Sequence, residues 1–168
     1  MKLAFSTNAF TRHSLDVALR EIAAAGYAGV EILADKPHWY PDRFDAGEAE
    51  SIRKTLAQRK LAVSNVNANC TFGYWKDAPP EPFFEPSLIS PSSKLRADRV
   101  RMIKHTLEFA KAVGAENISI TSGKPLPTMP PDAALKQLRE SLMPVLELAE
   151  KLKLRVGFEC EPGLFIEW

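Results

Sequence analysis

The chain is poor in cysteine, histidine and surplus charge, and it has no long apolar run. Only Cys70 and Cys160 occur in its 168 residues. They lie far apart without CxxC spacing, which excludes a disulfide framework and makes a reducing, cytoplasmic setting the expectation. The 22 basic and 21 acidic residues leave a formal net charge of +1, so nothing favours a polyanionic partner and no nucleic acid is expected. No apolar stretch approaches the roughly 18 residues a membrane helix needs, and Met1 to Asn8 turns polar too soon for a signal peptide. No membrane partner is expected either. Glycine is missing from Ser6-Thr7-Asn8-Ala9-Phe10, the place where a doubly wound nucleotide-binding fold carries its glycine-rich phosphate turn.

What is present is strand followed by helix, repeatedly. Short apolar runs at Lys2 to Ser6, Gly29 to Leu33, Ala62 to Val66, Asn117 to Thr121 and Arg155 to Glu159 read as five strands. Between them lie helical patterns. Ser14 caps a face of Leu15, Leu19, Ile22 and Ala23, and Asp45 with Glu48 forms a capping box before Ala49, Ile52 and Leu56. Val100, Ile103, Leu107 and Ala110 face inward on a helix from Ser93 to Val113, stopped by Gly114. Leu135, Leu138, Leu142, Val145 and Ala149 mark the last helix, Asp132 to Leu152, which Pro144 must kink or split. The helix-to-strand junction at Ala25 to Ile32 is echoed at Val113 to Ile120, and Lys60 to Val63 is echoed at Lys153 to Val156.

Alternating βα units predict a parallel sheet in order 1-2-3-4-5, because right-handed crossovers need a helix between neighbouring strands. The missing glycine turn favours a (β/α) TIM barrel, of which residues 1–168 supply only the N-terminal five strands and four helices. A complete barrel typically takes about 250 residues, so the single domain is expected to be incomplete at its C-terminus. A half barrel would leave two open sheet edges and expose inward-facing apolar residues such as Val156 and Phe158. Marginal stability or a homo-oligomer is then expected. Residues 70–92 hold five of the 13 prolines and the aromatics Phe72, Tyr74, Trp75, Phe83 and Phe84. That window reads either as a surface excursion or as a lid over the barrel mouth.

In a barrel the functional residues sit at strand C-termini, and every strand here ends polar. The candidates are Ser6, Thr7 and Asn8, then Glu31, then Asn65, Asn67 and Asn69, then Thr121 and Ser122, and finally Glu159 and Glu161. Carboxylates and amides suit a hard divalent cation and a polyhydroxylated ligand. Glu159 closes the apolar strand Val156-Gly157-Phe158, where a carboxylate is costly to bury unless a cation meets it. It shares strand parity with Glu161. The plainer reading pairs one of the two with a basic residue at the rim, and Glu31 likewise with a barrel arginine or lysine.

Gly29-Val30-Glu31-Ile32, the stretch from Ala112 to Ile118 leading to Ser122-Gly123, and the run Arg155 to Gly163 resemble the xylose isomerase-like barrel superfamily. That group includes sugar-phosphate isomerases and epimerases and the endonuclease IV nucleases. The resemblance implies a divalent metal (manganese, magnesium, cobalt or zinc) held by Glu159, with Glu161 as the alternative or additional ligand. It implies proton transfer next to a carbonyl, with Glu159 in a catalytic role. Asn8, Glu31, Asn67, Asn69 and Ser122 would hold a small sugar or sugar phosphate, and His38 and Trp39 would close the pocket, Trp39 by stacking on the sugar. A nuclease is disfavoured because strand three ends Asn65-Val66-Asn67-Ala68-Asn69, without histidine. A non-catalytic barrel-derived binding protein or a fragment is the alternative, since fold alone does not separate enzyme from binder.

Overall fold

The computed structural model describes residues 2–77 and 84–167. Its strands are β1 (Ala4–Ser6), β2 (Gly29–Leu33), β3 (Ala62–Asn67), β4 (Asn117–Ile120) and β5 (Arg155–Phe158). They form one sheet in the order β1-β2-β3-β4-β5, and every neighbouring pair is parallel. The helices are α1 (Leu15–Ala24), α2 (Ala46–Gln58), α3 (Ser93–Val113) and α4 (Pro131–Leu152), with a 3-10 turn at Thr7–Phe10 after β1. This is a partial TIM barrel, as the βα alternation predicts.

The helix ends follow local chemistry. Ser14 and Ser92 cap α1 and α3 by accepting from the N–H groups of Val17 and Leu95. Gly114 ends α3 in the left-handed region at φ 85°, where the absence of a Cβ removes the steric cost. Asp45 caps α2 through the N–H groups of Gly47 and Glu48, but the expected capping box is only half formed. The Glu48 carboxylate instead accepts the indole N–H of Trp39 at 3.2 Å. Pro144 does not split α4, which runs unbroken from Pro131 to Leu152. Glu140, whose carbonyl the proline deprives of a donor, lies on the exposed side.

Alternation divides each strand between two faces. Val30, Ile32, Val66, Ile118 and Ile120 are completely buried in a core shared with Leu19, Ile22, Ile103, Leu107 and Val145 of the helices. Burying each such side chain is worth roughly 1.5–3 kcal/mol. Strand β3 carries one extra residue. Val30 pairs with Val63 and Glu31 with Asn65, so Ser64 is skipped. That bulge lets Val63 face the helices while Asn65 and Asn67 join Glu31 on the inner face.

Two expected burial patterns are corrected. Val156 and Phe158 pack against the helix-facing core, so the apolar exposure expected of the inner face at β5 is not there. Leu135 is 46% exposed, and the buried stripe of α4 runs through Ala134, Leu138, Ser141, Val145 and Ala149.

The proline-rich window packs largely onto the shell. Trp75 Nε1 donates to the Glu85 carbonyl at 2.8 Å, and Ser141 of α4 donates to the Leu88 carbonyl at 2.8 Å. Ser87 through Ser90 are buried. Gly123, at φ +104°, lies so close that an added Cβ would stand 2.4 Å from the Ser87 Cβ. The middle of the window, 78–83, lies outside the described residues, as does Trp168 of the apolar tail. On the described flanks the window is a packed excursion, and Phe72, 50% exposed, is the aromatic that reaches the mouth.

Candidate functional site

The inner face of the sheet carries a hydrogen-bond network that reaches from β1 to the end of β5. Ser6 donates to Glu31 Oε1 at 2.6 Å. Asn65 Nδ2 donates to Glu31 Oε2 at 2.7 Å and to Ser119 Oγ at 2.8 Å. Asn117 Nδ2 donates to Asn65 Oδ1 at 2.7 Å. Ser119 Oγ donates in turn to Glu159 Oε1 at 3.2 Å, and Asn67 Nδ2 donates to the same oxygen at 3.0 Å. The Glu159 N–H meets the Ile120 carbonyl at 2.9 Å, so the β4–β5 ladder itself sets where this carboxylate stands. Glu31 therefore has a serine and an asparagine as partners, not the arginine or lysine of the plainer reading.

Electrostatics single out Glu159. Half-burial pushes its carboxyl above the usual carboxylate range. Hydrogen bonds from Ser119 and Asn67 pull it back, while the charges of Glu31 and Glu161 push it further up. A carboxylate in that position gains from any cation or proton that reaches it.

Asn8, Glu31, Asn67, Asn69, Glu159 and Glu161 all line one open cleft of about 650 Å³. The structure thus brings together most of the residues expected at the mouth. Two buried oxygens in the lining, Asn67 Oδ1 and Glu161 Oε2, have no hydrogen-bond partner among the described residues. Orphaned acceptors beside a carboxylate with a disfavoured charge are what a hard divalent cation satisfies. The fit covers one side of a coordination shell, since no group of three or more histidine, cysteine, aspartate or glutamate side chains among the described residues is placed to hold a metal.

Three expected ligand-binding residues lie elsewhere. Trp39 is 1% exposed and stacks on Phe109 of α3, with ring centroids 3.9 Å apart and planes 10° from parallel. Core burial of that aromatic surface, with the indole N–H satisfied by Glu48, leaves no face for a sugar. Ser122 is fully buried and its hydroxyl accepts the Ile166 N–H at 2.9 Å, which ties down the segment after β5. His38 lines a groove between α1 and α2, where its Nε2 lies 3.3 Å from the Phe10 carbonyl. Burial holds its pKa below the ordinary imidazole value. Asn117 and Ser119, by contrast, belong to the site and were not singled out by sequence. The signal was present in the Asn-Ile-Ser-Ile alternation of β4, whose polar members share parity with the inner face.

No helix among the described residues is long and apolar enough to cross a membrane. Residues 19–167 match the family model of the xylose isomerase-like TIM barrel. Fructoselysine 3-epimerase of Escherichia coli O157:H7 is 23% identical over 159 residues, which are 95% of this chain and 54% of that protein. The chain spans about half the length of the curated relatives it matches. A D-tagatose 3-epimerase-like protein has a similar fold, with a TM-score of 0.74 at 17% identity over 98% of this chain and 55% of that one. The IOLI protein with a bound zinc atom gives 0.69 at 17% identity, over 99% and 54% of the two chains. With 19–167 covered by the family model, this chain belongs to the xylose isomerase-like TIM barrel family.

Proposed function

We propose that the protein carrying this chain is a metal-assisted sugar epimerase or isomerase, acting on a ketose or ketose derivative by moving a proton next to a carbonyl. The observation that carries this reading is Glu159, a half-buried carboxylate fixed by Ser119 and Asn67 at the head of an open polar cleft. The names of the relatives, a fructoselysine 3-epimerase and a D-tagatose 3-epimerase-like protein, favour carbon 3 of a ketose as the reacting centre.

Glu159 and Glu161 would hold a divalent cation (manganese, magnesium, cobalt or zinc), with the remaining ligands supplied by strands outside the five described. Bound there, the cation would polarise the carbonyl and acidify the neighbouring C–H. Glu159 also takes or returns the proton, since burial and two neighbouring carboxylates raise its proton affinity above that of an ordinary carboxylate. Asn8, Glu31, Asn67 and Asn69 orient the hydroxyls, the amides by offering both donors and acceptors. A reducing cytoplasmic setting and a homo-oligomeric state belong to the same reading.

Glu159→Gln keeps size and one acceptor oxygen but removes the charge. In the protein that contains this chain, the substitution should abolish manganese binding measured by calorimetry. It should also abolish incorporation of solvent deuterium into D-fructose and D-tagatose, with the circular dichroism spectrum unchanged. Wild-type protein that binds manganese but exchanges no deuterium into either ketose would overturn the enzymatic reading in favour of a sugar-binding protein. Unchanged manganese affinity in the variant would move the ligand role to Glu161.

A further inference from the structure

A second cavity adjoins the polar cleft. It measures about 350 Å³, is more enclosed than the cleft, and shares Asn8 and Asn69 with it. Its other walls differ in chemistry: Leu33 and Phe72 supply an apolar surface, and Lys36 supplies a cation. Phe72 lines the cavity and is 50% exposed, so apolar surface is left uncovered there.

The two loops that form these walls are locked together. Asp35 is 1% exposed, and its Oδ1 accepts the N–H groups of Lys36 at 2.8 Å and Gly73 at 2.7 Å. Its Oδ2 accepts the Phe72 N–H at 2.9 Å. One buried carboxylate therefore fixes the loop after β2 against the loop after β3. Gly73 makes the approach possible, because a Cβ there would lie 2.4 Å from the Tyr40 ring. On the far side, Arg99, itself 1% exposed, donates to the Asn69 carbonyl. The cavity is thus preorganised, which lowers the cost of ligand binding.

The charge that a ligand can touch there is positive. The Asp35 oxygens are buried and occupied, whereas Lys36 is exposed and forms no salt bridge with the described residues. Its ammonium stands 5.4 Å from the Tyr40 ring centroid, a contact with a neutral ring that leaves its charge uncancelled. At about 350 Å³ the space falls at the small end of ligand pockets, roughly 300–1,000 Å³. It has room for an apolar arm as well as an anion.

We infer that this cavity is a second subsite which selects ketoses extended by a short apolar arm ending in an anionic group, a carboxylate or a phosphate. The arm would lie along Phe72 and Leu33 and its anion would meet Lys36, while the sugar occupies the polar cleft. This rests on the sugar reading of that cleft given above.

The test measures binding by calorimetry in the protein that contains this chain, with manganese present. The probes are D-fructose and its 1-O- and 6-O-linked pentyl, 5-carboxypentyl and 5-phosphopentyl ethers. At one attachment point the anionic arms should bind at least tenfold more tightly than D-fructose, with the uncharged pentyl ether between them. Which anion binds more tightly distinguishes carboxylate from phosphate. Lys36→Gln should erase the difference between anionic and uncharged arms, and Phe72→Ala should erase the advantage of the uncharged arm. Both variants should leave D-fructose affinity unchanged. If D-fructose binds and no arm improves on it, the subsite is overturned and the cleft reading stands. If none of the probes binds, both are overturned.

Discussion

The two faces of the same five strands obey different rules. On β4 the chain reads Asn117-Ile118-Ser119-Ile120: both isoleucines are completely buried under the helices, while Asn117 and Ser119 join the amide and hydroxyl network of the inner face. On β2, Glu31 sits between Val30 and Ile32, each with no exposed surface. The helix-facing residues gain by leaving water and are held by packing alone. The inner residues are held by directed hydrogen bonds: both Glu31 oxygens and Glu159 Oε1 are each fixed by donors on other strands. Stability and chemistry are therefore interleaved at a spacing of one residue, which makes them separable by mutation.

The largest contrast should come from adjacent positions. Ile118→Ala removes a fully buried side chain and should cost about 2–5 kcal/mol, read as a lower urea midpoint with unchanged slope. Ser119→Ala next to it should cost about 0.5–1.5 kcal/mol, the net value of a typical hydrogen bond. Equal losses at the two positions would erase the distinction between the faces. Asn65→Ala falls between them, because Asn65 is the node that joins Glu31, Ser119 and Asn117. Leaving those groups unpaired should cost roughly 1–3 kcal/mol and should disturb ligand binding more than Ser119→Ala does.

Glu159→Gln sharpens the comparison from the other side. Burial and the charges of Glu31 and Glu161 disfavour the ionised carboxylate. In cation-free buffer at neutral pH, Tm should therefore stay level or rise. A clear fall would mean that the inner face is optimised for stability after all.

The smallest effect belongs to neither face. Asp98, on the outside of α3, accepts from Lys94, Tyr74 and Arg101, and these contacts hold its carboxyl below the ordinary value of 3.8. A depressed folded pKa contributes stability above the unfolded value, and that stability disappears as pH falls through the folded one. Asp98→Asn should lower Tm slightly at neutral pH, with the difference shrinking below pH 3.8. A difference that persists at low pH would show that packing, not charge, is responsible.

Strand and helix order was readable because the buried strands are short runs with β-branched residues, and each helix has an apolar stripe, three of the four with a side-chain N-cap. The polar strand ends were equally readable, and Asn8, Glu31, Asn67, Asn69, Glu159 and Glu161 do share a cleft. Trp39 was misplaced because its neighbours in sequence, Lys36, Pro37 and His38, resemble a surface loop; the Phe109 ring that buries it comes from the distant α3. Ser122 was misplaced because position after a strand does not say whether a hydroxyl faces ligand or backbone, and here its partner is Ile166. Leu135 and Ala134 both satisfy a helical period, so only the actual direction of α4 against the sheet decides which is buried.

The skipped residue in β3 works as a splice between two rulers. Counting by twos from Ala62 or Val63 gives the wrong side for everything after Ser64, so no fixed step can thread Val63 and Asn65 onto their faces. Ser64 is exposed, yet its presence is what sets the phase of Asn65 and Asn67. Excising it would restore an unbroken count and rotate either a valine into the cleft or both amides away from Glu31 and Glu159. The residue that decides which side chains line the cleft is thus one that does not line it itself.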